Sequence, residues 1–237
     1  MHPYANRLLT LFRLRRDQRL LGYVSLLLVA GFVILTLTVL FLPPEVLDIE
    51  LSHEVQEERS PLRDVLMRAV SWFGNGLAPA FIPLVCALAF LLLGARREAL
   101  FTLLTLLSGG IIYGIKIVIN RPRPTADFIE IIEHAQFQSF PSGHVTFYVT
   151  FFGFLVFLMY RLRWIWMWLR WTLAVLGLLL IFTVGISRMY LGAHWFTDVL
   201  AGFLVGLLCL IGLTHWYTAT TTDSPDRVKS SIASGDA

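Results

Sequence analysis

The sequence predicts an all-α integral membrane protein: six transmembrane helices, with an outer interfacial amphipathic helix between the first two. Three observations carry this. Of 237 residues, 57% are hydrophobic and only 15% charged, against roughly 25% charged in an average soluble domain. The apolar residues run in long blocks with the charges between them, whereas a water-soluble fold places polar residues at helical or strand spacing inside each element. A spanning helix takes about 20 apolar residues and six take about 120. That leaves loops and a short tail, but no second globular domain. A soluble enzyme is excluded, and so is disorder except at the ends.

Residues 1–19 form a basic segment with Arg7, Arg13, Arg15, Arg16 and Arg19, expected in the cytoplasm. The six-helix membrane domain is expected over 20–217. Its first span, 20–42, has no charge and stops at Pro43-Pro44; it is too long for a signal-peptide core and no A-x-A site follows. Residues 45–59 are acidic, with Glu45, Asp48, Glu50, Glu54, Glu57 and Glu58. Ser60-Pro61 reads as an N-cap followed by proline at the first helical position. After it, Leu62, Val65, Leu66, Ala69, Val70 and Phe73 follow helical spacing, opposite Arg63, Asp64 and Arg68. This amphipathic helix either lies at the outer interface or packs on the bundle. The second span is expected over 77–93 and the third over 99–119, joined by a turn with Arg96, Arg97 and Glu98. A polar loop carrying Pro122, Pro124 and Pro141 precedes the fourth span, 143–160. Arg161, Arg163 and Arg170 follow, among Trp164, Trp166, Trp168 and Trp171, which read as an interfacial aromatic belt. The fifth span is 171–186 and the sixth 198–217. The Ser/Thr/Asp-rich segment 218–237 is expected to be a disordered cytoplasmic tail. Cys86 and Cys209 sit inside apolar blocks and read as small buried hydrophobes.

Lys and Arg set the orientation. With the N-terminus inside, twelve of the nineteen basic residues fall in inner segments, which places both termini in the cytoplasm. The outer seven are Arg59, Arg63, Arg68, Lys116, Arg121, Arg123 and Arg188. Several of these belong to polar clusters that break the apolar pattern, and all three clusters map to the outer ends of the spans.

The first cluster is Lys116 with Arg121-Pro122-Arg123-Pro124. Its cations have no acid among them. Arg offers planar bidentate donors to phosphate and Lys a point charge; a charged collar with a snorkelling lysine has the same composition. The second is Pro141-Ser142-Gly143-His144 at the start of the fourth span. A helix N-terminus presents free N–H groups and a positive dipole end. Ser142 can cap, Gly143 lets an oxyanion approach the backbone, and His144 adds a titratable proton. An ordinary serine cap beside an incidental histidine fits the same residues. The third is Ser187-Arg188 with His194 and Asp198. At i and i+4 the last two share a face of a continuous helix, so the carboxylate can fix the histidine tautomer and leave the other nitrogen free to attack. A metal half-site has the same spacing, but Lys116, Arg123 and Arg188 would repel a metal ion. Together the clusters describe a phosphoryl-transfer site, in which positioning and charge stabilisation do most of the work. One histidine would be the nucleophile and the other the general acid.

In order and spacing, Lys116-x6-Arg123-Pro124, Pro141-Ser142-Gly143-His144 and Ser187-Arg188-x5-His194-x3-Asp198 resemble the type 2 phosphatidic acid phosphatase superfamily. The resemblance covers residues 116–198 and has no departure at a motif position. It implies a metal-independent membrane phosphatase that needs no cofactor. His194 would attack phosphorus and form a phosphohistidine, oriented by Asp198, while His144 would protonate the leaving oxygen and later activate water. Lys116, Arg123, Ser142, Gly143 and Arg188 would hold the phosphate oxygens. Arg121 lies outside the matched positions and receives no catalytic role. Soluble vanadate-dependent haloperoxidases share the family, and the spanning helices argue against that activity. The resemblance also implies a lipid phosphate partner, not nucleic acid. The candidates are undecaprenyl diphosphate, phosphatidylglycerophosphate and phosphatidic acid, with the isoprenyl diphosphate slightly ahead. The expected setting is a bacterial inner membrane with the active site facing outward. A lipid phosphotransferase using the same histidine and a non-catalytic lipid transporter are the rival readings. Oligomeric state is not legible.

Overall fold

The computed structural model describes residues 3–42 and 47–222, with side chains over 18–42 and 48–220. Pro43-Pro44, Glu45 and residues 223–237 lie outside the described residues. All regular structure among the described residues is helical. Five helical stretches are long and apolar enough to cross a membrane, or six if one bent pair counts as a single span.

Helix α1 (Pro3–Phe41) carries the first span over Gln18–Phe41. Part of the acidic segment is helical: α2 (Leu47–Gln56) has Asp48 and Glu50 in its first turn, where they complement the helix dipole. Asp48, Ser52 and Gln56 recur every four residues and are all buried. The inward face of α2 is therefore polar, and it packs on the two helices that close the fold. Gln56 donates from Nε2 to the carbonyls of Glu130 (2.8 Å) and Tyr190 (2.9 Å) and accepts from Glu130 N–H (3.1 Å), tying a loop to a helix end.

Helix α3 (Pro61–Ser71) starts as expected, with Ser60 Oγ accepting from Arg63 N–H at 3.2 Å. The first part of its apolar row points away from the protein, with Leu62 69% and Val65 64% exposed, while Val70 and Phe73 pack on the core. The opposite row packs on α8 (Met167–Tyr190): Tyr190 Oη donates to Asp64 at 2.6 Å and Ser187 Oγ to the Met67 carbonyl at 2.6 Å. A 3-10 turn, Trp72–Gly74, leads to α4 (Ala78–Leu92), and the two stretches meet at 64°. The expected second span is thus a 15-residue helix continuous with a bent partner.

The expected third span is one apolar stretch, Arg96–Ile119, interrupted by a two-residue turn into α5 (Arg96–Leu104) and α6 (Leu107–Ile119). Thr105 and Ser108 explain the break. Their hydroxyls donate to the carbonyls of Thr102 (2.6 Å) and Thr105 (2.7 Å), competing with the helical ladder, and Gly109-Gly110 add little helix propensity. Helix α6 ends on Asn120 in the left-handed region, φ 50°, a common way to stop a helix.

Helix α7 (Gly143–Arg161) is the centre of the bundle and is buried along most of its length. It packs on α8 and on α9 (Phe196–Thr222). Gly202 of α9 makes the second contact possible: a Cβ there would lie 2.8 Å from the Ser142 carbonyl. Thr146 Oγ1 donates across the gap to the Gly202 carbonyl at 3.1 Å. Small residues and such bonds drive helix association where lipid removes the hydrophobic contribution. The α7–α9 contact sets the depth of the second and third polar clusters relative to each other. Helix α9 also runs past the expected boundary at residue 218, to Thr222. Trp164, Trp166, Trp168 and Trp171 are exposed near the far end of the bundle, and Cys86 and Cys209 are free and half-buried.

Candidate active site

The expectation that His194 and Asp198 share one continuous helix is corrected. Helix α9 begins at Phe196, so His194 sits in the preceding turn and only Asp198 is helical. The turn still brings them together. Asp198 Oδ2 accepts from Trp195 N–H at 3.0 Å, folding the carboxylate back over the turn, and lies 3.5 Å from His194 Nδ1. Arg123 Nη1 is 3.3 Å from His194 Nε2. A guanidinium only donates, so Nε2 accepts and carries a lone pair. The proton of the neutral ring then sits on Nδ1, facing Asp198. Burial first, then the charges of Arg123, Arg188 and Lys116, hold the His194 imidazole well below the usual histidine range. At neutral pH it is an uncharged ring whose Nε2 lone pair points at Arg123.

Ser142, Gly143 and His144 occupy the start of α7 as expected, with one difference. Ser142 has cap backbone geometry, but its Oγ makes no cap bond and is buried without a partner. Gly143 lines the cavity, and a Cβ there would meet only Ile112 at 3.7 Å. His144 Nε2 is 2.6 Å from Asn75 Oδ1, in the bend between α3 and α4. The oxygen accepts, which assigns the proton to Nε2. Gly74 lies against the ring: a Cβ there would be 2.2 Å from His144 Cδ2. Lys116, Arg123, Arg188 and His194 are all near enough to His144 to interact with it electrostatically.

The three cations arrive from three elements. Lys116, in the last turn of α6, donates to the Gln138 carbonyl and to that of Ser139 at 3.3 Å. Arg123 donates to the carbonyls of Phe137 (2.8 Å), Gln136 (2.9 Å) and Ala193 (2.6 Å), wrapping the loop around itself. Burial pulls its guanidinium down to about 10, so it stays charged at neutral pH. Arg188, in the last turn of α8, is fully buried; its Nη1 meets Glu133 and Ser71, each at 3.0 Å. Its Nε and Nη2 have no partner, and neither does Ser142 Oγ. Buried donors are normally satisfied, so these unpaired groups within a cationic cluster are available to an anion.

A cavity of about 630 Å³ opens onto this cluster and is lined by Lys116, Arg123, Gly143, His144 and His194. Its outer wall is apolar, built by α4 and α6 with Pro79, Ala80, Ile112 and Tyr113. Ser142, Arg188 and Asp198 are fully buried around it. The structure thus assembles all eight sequence-derived candidates at one end of the bundle. Among the described residues no group of three or more His, Cys, Asp or Glu has a metal-binding arrangement.

Sequence reasoning missed four residues. Gly74 and Asn75 contact His144, and their only sequence signal is the Gly-Asn-Gly turn pattern. Asp48 and Arg121 form a buried pair at 2.6 Å, and Arg121 also reaches Asp198. Asp48 looked like one of six acids in a polar segment; only its helical register with Ser52 and Gln56 marks it.

The family model of the PAP2 superfamily matches residues 98–222. The chain belongs to the PAP2 superfamily. The match contains all three polar clusters, while α1 to α4, with Asp48, Gly74 and Asn75, precede it. A stretch of 80 residues is 40% identical to the bacitracin transport permease protein BcrC of Bacillus licheniformis, covering 33% of this chain and 34% of that protein. Another of 91 residues is 38% identical to phosphatidylglycerophosphatase B of Bacillus subtilis (strain 168), covering 38% and 43%. The chain therefore matches well under half the length of these curated relatives. The fold is shared over a longer extent. The crystal structure of a transmembrane PAP2-type phosphatidylglycerolphosphate phosphatase from Bacillus subtilis superposes with a TM-score of 0.73 at 23% identity, covering 86% of this chain and 98% of that one.

Proposed function

We propose that this PAP2 protein is a metal-independent membrane phosphatase acting on a lipid phosphate or diphosphate through a phosphohistidine at His194. The observation that carries this is the state of His194. It is a neutral buried imidazole with its Nε2 lone pair facing Arg123 and its Nδ1 facing Asp198. The unpaired donors of Arg188 and Ser142 lie in the same cluster.

The chemistry follows from the geometry. Lys116, Arg123, Arg188 and the α7 N-terminus take up the phosphate charge, replacing the counter-ions that metals supply elsewhere. With the phosphate charge bound beside it, His144 carries a second proton as the imidazolium; His194 Nε2 attacks phosphorus, the bond to the leaving oxygen breaks, and His144 delivers that proton to the oxygen and is left neutral. Asp198 stabilises the positive charge that develops on His194. Water then attacks the phosphohistidine, gives its proton to His144, and inorganic phosphate leaves.

The apolar wall between α4 and α6 supports a lipid substrate, with the tail toward the bilayer and the phosphate on the cations. Phosphatidylglycerophosphate, phosphatidic acid and undecaprenyl diphosphate are the candidate substrates. In this reading the protein sits in a bacterial inner membrane with both termini cytoplasmic. The site faces outward, and the exposed apolar row of α3 lies at the outer interface.

The test is hydrolysis across a panel of lipid phosphates and diphosphates. His194→Ala is expected to abolish phosphate release while still extracting as a folded protein, and the wild type is expected to stay active in excess EDTA. Near wild-type release by His194→Ala sinks the nucleophile assignment. Loss in EDTA, restored by a divalent ion, sinks the metal-independent reading. Label appearing in a second lipid instead of free phosphate identifies a phosphotransferase.

A further inference from the structure

Arg121 is buried, with 7% of its side chain exposed, between two carboxylates from different helices. Its Nη2 donates to Asp48 Oδ2 at 2.6 Å, and its Nη1 donates to Asp198 Oδ1 and to Thr197 Oγ1 at 2.7 Å. Asp48 is held on both oxygens: Thr197 N–H donates to Oδ1 and Thr197 Oγ1 to Oδ2, each at 2.8 Å. Asp198 takes Trp195 N–H on Oδ2, and its backbone carbonyl accepts from Ser142 N–H at 2.9 Å. One helix of the acidic segment thus caps α9 and ends on the orienting carboxylate of the nucleophile.

Burying three charges is costly unless each is paired and hydrogen-bonded. Here each is, and the cluster keeps one net negative charge beside His194. Arg121 occupies Oδ1 of Asp198 and leaves Oδ2, which also takes Trp195 N–H, 3.5 Å from a His194 Nδ1 that has no other partner. Without Asp48, a guanidinium with two parallel donors would close on Asp198 in the bidentate form it favours, drawing both oxygens from His194.

We infer that Arg121 and Asp48 are positioning residues for the nucleophile: through Asp198 they fix the orientation and the Nδ1–H tautomer of His194. This rests on the assignment of His194 as nucleophile. It brings α2 into the catalytic apparatus, although no α2 residue lines the cavity.

The test uses the full-length protein, dioctanoyl phosphatidic acid as probe, and the variants Asp48→Asn, Arg121→Gln and Arg121→Lys. Orienting partners of this type are typically worth about 10–100-fold. Both neutralising variants are expected to lose kcat by that order with KM within about two-fold. Arg121→Lys is expected to recover part of the loss. The groups that face His194 are Lys116 on α6, Arg123 in the loop, His144 on α7, Arg188 on α8 and Asp198 on α9, with Glu133 paired to Arg188 behind them, and all are retained. Asp48→Asn removes one negative charge from the Asp48–Arg121–Asp198 cluster behind this set, so protonated His194 is less stabilised and the acid limb of kcat/KM moves to lower pH. A normalised pH profile reads only the folded, active fraction, so partial misfolding does not mimic the shift. Nitrogen-15 NMR of labelled histidine, with His194 assigned from a His194→Gln spectrum, reads the tautomer without turnover. Nδ1–H is expected in the wild type, with a smaller share in Asp48→Asn and Arg121→Gln. A superimposable pH profile for Asp48→Asn, or an unchanged tautomer in both variants, overturns the inference. A wild type that releases no phosphate overturns the phosphatase reading instead, and the NMR comparison still decides the positioning.

Discussion

His144 is held by residues that carry no charge. Asn75 Oδ1 receives its Nε2 proton at 2.6 Å, and Gly74 leaves the space its ring fills. In Gly74→Ala the new Cβ would sit 2.2 Å from Cδ2, so the ring must leave its position. Losing a placed general acid costs roughly 10²–10⁴-fold. Steady-state kinetics of Gly74→Ala should therefore show kcat down within that range and KM changed far less. A KM effect alone would mean that His144 binds substrate without transferring a proton. Ser142 makes the complementary point. As a cap residue it is wasted, since its hydroxyl bonds nothing, and a buried unpaired hydroxyl costs about 1–3 kcal/mol. A bound phosphate oxygen would repay that cost.

At the scale of elements, each cluster is presented by a helix end, and the helices around the cavity differ in how tightly they pack. Helices α7 and α9 touch through Gly202 and the Thr146 bond. Each bond of that kind adds only about 0.6 kcal/mol in a membrane, so close packing carries most of the contact. Helices α4 and α6 leave an opening instead. A Cβ at Gly109 or Gly110 meets no atom within 4 Å, and both residues line the cavity. Gly110→Phe is thus expected to fill the cavity wall without disturbing the fold. It should raise KM several-fold for a long-chain lipid phosphate and leave hydrolysis of water-soluble p-nitrophenyl phosphate unchanged. Equal effects on both substrates would show that lipid tails do not pass between α4 and α6.

At the scale of the whole molecule, the polar site sits at one end of an apolar bundle and the Arg/Trp-rich turn 161–171 at the other. The excess of Lys and Arg on the far side predicts an outward-facing site. Single cysteines in a Cys86→Ser/Cys209→Ser background test this in intact cells. A membrane-impermeant maleimide is expected to label Glu130→Cys at once and Arg163→Cys only after permeabilisation. The reverse pattern would turn the site to the cytoplasm. The acidic α2 and the loop after α6 share the site end, which explains how a residue before the second span, Asp48, reaches one in the last, Asp198.

The sequence by itself determined the class of fold, the apolar helices to within a few residues, and the eight residues gathered around the cavity. Hydrophobic block length reports on lipid directly, and Lys, Arg, His and Asp stand out against an apolar background because each is costly there without a reason. Only the tertiary structure decided the rest. It put a turn into the helix of the third span at Thr105, whose hydroxyl prefers a neighbouring carbonyl to solvent it never meets. It moved His194 off the helix and let the turn, rather than i,i+4 spacing, bring it to Asp198. It also chose Asp48 among six nearby acids and Arg121 among the outer cations, because a buried charge is tolerated only where a partner from another helix arrives. Pairings across 73 and 77 residues leave no local trace in the chain.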